Sequence, residues 1–151
     1  AVLFRQEPVR VAARPQMTDA VVAFRAFAGE AGQAVEFPAA QAAILRQMIS
    51  QHLRHEIAVP DLSGIGLAFR GGRLLASDEG PGGMFVYVDP TGERIAVYVK
   101  TLASEREAAL SSRQDGDVTA YVWFTGELGY AVLGSSASPY VQRTAQRLFG
   151  R

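Results

Sequence analysis

The 151 residues suit one domain with room for a real core, and a composition 48% apolar and 20% charged is globular rather than disordered. Lys plus Arg balance Asp plus Glu at 15 each, so the basic excess typical of a nucleic-acid binder is missing. The absence of cysteine excludes disulfides, thiolate metal sites and a cysteine nucleophile, yet suits a reducing or an oxidising compartment equally.

The first residues carry no sustained period: Pro8 and Pro15 bracket RVAAR, so 1–17 reads as a lead-in and 18–151 as one α+β domain. A start at Ala1 rather than Met suggests a fragment or processed product. AVLFRQEPVR is too briefly apolar for a signal peptide, and no apolar run approaches the ~18 residues that span a bilayer. Any membrane part would lie outside this sequence.

Helical periodicity begins with TDAVVAFRAFAGE. Thr18 suits the N-cap and Gly29 the position past the C-terminus, with Val21, Phe24, Ala28 and Phe27 as the apolar face. A short strand is expected over Gln33 to Phe37, and Pro38 then opens a second helix. In that helix Leu45, Met48, Ile49, His52 and Leu53 recur as a buried stripe, and Pro60 bars any continuation.

The period then changes from 3.6 to 2. GIGLAFRGGRLLA reads as two short strands about Gly71-Gly72, and GMFVYVDPTGERIAVYVK as a hairpin turning at Asp89 to Gly92. SEREAALSSRQDGD reads as a loop or a short exposed helix, and VTAYVWFTGELGYAVLG as a third hairpin turning near Gly126-Glu127. Ser138 and Pro139 then start a C-terminal helix that ends at Gly150. The expected architecture is α+β: an antiparallel β-meander of about six strands, with two N-terminal helices and one C-terminal helix packed on it, the helices able to share one face.

Candidate chemistry is sparse. His52 and His55 lie three apart with Glu56 beside them, but H-x-x-H-E matches neither zinc-protease order and no further His or Cys supplies a third ligand. A metal-dependent hydrolase at His52 and His55 is thus a remote alternative to a helix end, where His55 helps cap the last turn. Gly64-Ile65-Gly66 enters a strand rather than a helix, and GPGG at Gly80 to Gly83 is a turn cluster without P-loop residues. Ser135, Ser136 and Ser138 lack a nucleophile elbow, and the carboxylates scatter over turns. No catalytic residue, metal ligand or cofactor site is assigned.

One surface stands out. Strand alternation offers an aliphatic face and a second face carrying Tyr87, Tyr98, Tyr121 and Trp123, which Tyr130 would join if the register allows. Such a face is a candidate contact surface for a partner or ligand, unless a helix covers it.

The elements PDLS (60–63), GGRL (71–74), Tyr98-Val99 and LGYA (128–131), preceded by AFRAF, AVEF and a helix ending LRHEI, resemble the extracytoplasmic domain of bacterial transmembrane anti-sigma factors. The resemblance runs from about Thr18 onward and involves turns and strands, not catalytic residues. It implies a non-enzymatic sensory domain in the periplasm, anchored to the inner membrane by a helix absent here. A sigma factor would be held by a cytoplasmic domain, also absent, which in that family often binds zinc. A regulatory protease or periplasmic signal protein is an implied partner, and weak self-association fits a neutral chain with aromatic strands. The segment from Thr18 to Gly29 is then the element expected to transmit the signal. The alternative is a small-ligand binding module of the periplasm, using the aromatic face or a pocket beneath Tyr98 and Trp123.

Overall fold

The computed structural model describes residues 17–28, 35–77 and 80–150. Helix α1 (Thr18–Ala23) continues as a π-helical turn, Phe24–Ala28; strand β1 (Phe37–Pro38) and a 3-10 turn lead into α2 (Ala42–Leu53). Six strands follow: β2 (Ala68–Ser77), β3 (Gly80–Val88), β4 (Arg94–Thr101), β5 (Ala108–Asp115), β6 (Val118–Thr125) and β7 (Leu128–Ser135). Helix α3 (Tyr140–Phe149) closes the chain.

These strands form one antiparallel sheet of seven, in the order β1-β2-β3-β4-β7-β6-β5. The α+β class and the three helices are as the sequence implies, with seven strands rather than about six. The meander runs unbroken through β2-β3-β4 and again through β5-β6-β7. The two pieces meet at β4 and β7, where Tyr98 pairs with Ala131. The stretch read as a loop or exposed helix is β5, an edge strand exposed from Ser111 onward. Its signal was the Asp115-Gly116-Asp117 turn, in which Gly116 takes φ +62° and Asp115 pairs with Val118.

Gly71-Gly72 is not a turn. Both lie within β2, just after a bulge between Phe69 and Gly71. A side chain on Gly71, at φ +133°, would meet the Phe37 carbonyl of β1 at 2.3 Å; one on Gly72 would meet the Met84 carbonyl at 2.3 Å and Leu45 at 2.9 Å. The glycines let neighbouring backbone and helix α2 approach. Gly83 serves likewise: it lies inside β3, not in a turn cluster, and a Cβ there would stand 2.8 Å from Ile49 Cδ1. On β7, a Cβ at Gly134 would lie 2.7 Å from Val141, the seat of α3.

Helix α2 buries Leu45, Ile49 and Leu53, whereas Met48, expected in the stripe, is 38% exposed. The helix stops well before Pro60 because Arg54 turns left-handed at φ +60°. Ser50 Oγ secures the exit by accepting the Ile57 N–H at 3.0 Å, which delivers Ile57 to the core. At the C-terminal helix Pro139 holds the N-cap position expected for Ser138, and Ser138 Oγ, one residue earlier, still accepts the Tyr140 N–H at 3.1 Å. Thr18 is the first helical residue of α1, not its cap, and Met17, assigned to the lead-in, is buried in the core. Gly29 and Gln33, the expected helix end and strand start, fall outside the described residues.

Two of the three helices share a face, one from each end of the chain, and the third does not. Helices α2 and α3 cover one side of the sheet, over Phe85, Tyr87, Ile95, Val97, Val99 and Val132. Helix α1 covers the other, where Ala20, Val21 and Phe24 meet Met84, Val86, Ala96 and Leu133. Both sides of the central strands are therefore buried, which explains why β3 and β4 are almost wholly inaccessible.

Candidate functional site

Register decides which aromatic residues meet. Trp123 pairs directly with Tyr130 across β6 and β7, and their rings stack at 5.3 Å with 9° between planes. Tyr121 pairs with Val132 on the same side, one step along β6. Tyr87 shares that side but is sealed: it packs 5.4 Å from Phe69, and its hydroxyl donates to the Pro60 carbonyl at 2.5 Å. Burial, helped by the nearby Asp61 charge, pushes its phenol far above the usual range, so it is a structural hydrogen-bond donor.

Tyr98 does not belong to this face. The turn at Asp89 sets Val88 opposite Arg94, which puts Tyr98 opposite Met84 and so under α1. There its hydroxyl donates to Asp19 Oδ2 at 2.9 Å. The expected five-residue aromatic face is therefore a stacked pair with Tyr121 alongside, a buried Tyr87 and a Tyr98 on the opposite side.

The pair forms the floor of a cleft of about 700 Å³. Phe85 and Val97 of the central strands also line it, and its walls come from three distant parts of the chain: Ile57, Ala58 and Pro60 after α2, Glu107 to Ala109 entering β5, and Leu148 and Phe149 at the end of α3. Phe149 stands edge-on to Trp123 at 6.0 Å and is 44% exposed, an apolar side chain left at the mouth. Burial also raises the Tyr130 phenol above its usual range. Sequence reasoning found Trp123 and Tyr130 but missed Ile57, Leu148 and Phe149, because nothing local links a helix end to a loop ninety positions away.

The histidines diverge. His52 Nε2 lies 2.8 Å from the Leu75 carbonyl, while His55 contacts the Leu53 carbonyl through Nδ1 at 2.8 Å and Glu127 through Nε2 at 3.3 Å. Each ring is committed to its own partners, and among the described residues no group of three or more His, Asp or Glu is arranged to hold a metal ion. Comparison with protein families, curated proteins and solved structures gives no match.

The elements that carry the resemblance prove to be packing devices. Asp61 Oδ1 accepts the Ser63 N–H at 3.1 Å and hydroxyl at 2.8 Å, starting a 3-10 turn that buries Leu62. Gly71 and Gly72 admit β1 and α2, and Val99 and Ala131 are fully buried.

Proposed function

We infer that the chain is the extracytoplasmic regulatory domain of a bacterial transmembrane anti-sigma factor, non-enzymatic and acting through parts of that protein outside this sequence. The observation carrying this reading is the resemblance over PDLS, GGRL, Tyr98-Val99 and LGYA, residues that here shape a scaffold instead of presenting chemistry. In this reading the domain sits in the periplasm, tethered to the inner membrane. A cytoplasmic domain restrains the sigma factor, and a protease or periplasmic signal protein acts on the outer portion.

Helix α1 is the transmitting element of this proposal. It alone among the described helices covers its face of the sheet, and polar contacts hold it at both ends. Asp19 bonds Lys100 and Tyr98, while Arg25 donates to the Asp115 carbonyl at 2.6 Å and pairs with Asp117 at 3.4 Å. Lifting α1 would expose Met84, Val86 and Leu133 and present its backbone to a protease. Hydrogen exchange is expected to be faster over Thr18–Ala28 than over β3 and β4; equal protection under all conditions would remove α1 from the mechanism.

The test of the whole reading is the gene. Codons upstream of Ala1 should encode an apolar span of ~20 residues preceded by a short domain. A start codon or plain signal peptide directly before Ala1 would reject it. The cleft favours a second reading, a periplasmic ligand-binding module, because it is concave and apolar with few polar groups.

A further inference from the structure

The ionic side chains that line the Trp123 cleft are acidic, and the basic groups near it, Arg46 beside Glu56 and Arg147 in the last turn of α3, do not line it. Among the described residues, the only ionic side chains lining it are Glu56, beside Ile57, and Glu107, beside Ala108. Glu107 is oriented by the Gly126 N–H, which it accepts at 2.8 Å through Oε2. Glu56 pairs with Arg46 at 4.0 Å, with its side chain 88% exposed. The cleft also adjoins the C-terminal turn of α3, a ten-residue helix whose last carbonyls carry partial negative charge. The rings of Trp123, Tyr130 and Phe149 line the same cleft, and an aromatic face, unlike an edge, attracts cations. Arg106 lies over the ring of Phe124 at 4.5 Å; Phe124 lines the cleft, and its side chain packs with the cluster on the α1 side.

We propose that this cleft binds an organic cation with an apolar body, of the class of aryl-alkyl or long-chain amines. The apolar part lies on the stacked Trp123 and Tyr130 between Ile57 and Leu148, and the ammonium lies at the mouth between Glu56, Glu107 and the end of α3. An anionic ligand would face two carboxylates and a helix C-terminus at once. The inference rests on the cleft being a binding site and is independent of the anti-sigma reading.

Trp123 is the single tryptophan of the chain, so its emission reports this cleft alone. Three probes of one skeleton separate the contributions: 4-phenylbutylamine, 4-phenylbutanol and 4-phenylbutyrate, titrated at low ionic strength with tryptophan excited selectively. The amine should change Trp123 emission saturably and bind about tenfold more tightly than the alcohol, with the butyrate weakest. In E56Q/E107Q, whose exposed side chains keep their shape, the amine should fall to the affinity of the alcohol while thermal stability holds. If the alcohol binds as well as the amine, or the double variant leaves the preference intact, the cation assignment is overturned while the ligand-binding reading stands. If none of the three perturbs Trp123, both fall.

Discussion

Lys100 Nζ lies 3.3 Å from Asp19 Oδ2, and only 1% of the lysine side chain is exposed. The Tyr98 hydroxyl donates to the same carboxylate oxygen at 2.9 Å. A strand in the middle of the sheet thus buries a full positive charge under α1, and the first turn of that helix supplies the counter-charge. Asp19→Ala should therefore lower the unfolding free energy by about 3 kcal/mol. D19A/K100M, which removes both charges, should recover most of that loss. Urea denaturation of the two variants checks it; equal losses would mean that helix packing, not charge burial, is at stake.

Helix α2 rests on glycine. Gly83→Val would drive a branched side chain against Ile49, already 2.8 Å from the ideal Cβ position, and should cost about 2 kcal/mol. Ile49→Val in the same chain should return part of it, a coupling that a double-mutant cycle reads directly. Gly72→Ala should cost more, because the obstacle there is the Met84 carbonyl, which belongs to the backbone and does not swing aside.

Stability should fall at both ends of the pH scale for identifiable reasons. Burial alone would raise the Asp89 carboxyl, but hydrogen bonds from Thr91, Glu93 and Gly92 outweigh it and hold the group below its usual range. Its contribution is full above the unfolded value of about 4 and disappears as pH drops through the folded one. Asp89→Asn should flatten that acid limb in a series of thermal melts.

At the alkaline end Tyr87 acts in the opposite sense. Its folded phenol stays protonated where the unfolded chain ionises, so stability declines once pH rises past about 10. Tyr87→Phe should remove this slope, at a constant cost of about 1 kcal/mol for the bond to the Pro60 carbonyl. Ultraviolet absorbance should show one tyrosine that ionises only with unfolding.

Phe149 closes the cleft without anchoring the core. Being 44% exposed, it should cost no more than about 1 kcal/mol when replaced by alanine, well below the loss for a buried aromatic. The same change removes the ring that packs against Trp123, so its emission should move to longer wavelength. A blue shift or no shift would mean the mouth closes by another route.

Much of the architecture was legible in the chain because it is local. A change from a 3.6 to a 2 period, proline and glycine at helix ends, and turn residues at Asp89 and Gly126 are enough for the class and for the hairpins β3-β4 and β6-β7. The stacked pair of Trp123 and Tyr130 was within reach for the same reason, since a two-residue turn between Thr125 and Leu128 leaves them opposite one another. The tertiary structure alone decided the rest. The face on which Tyr98 lies depends on how many residues the Asp89 turn consumes, because one residue more or less inverts a whole strand. The role of Gly71 and Gly72 depends on how near β1 and α2 come, a distance no local pattern encodes. The cleft joins segments near positions 57, 108, 123 and 149, and only packing across the sheet brings them together.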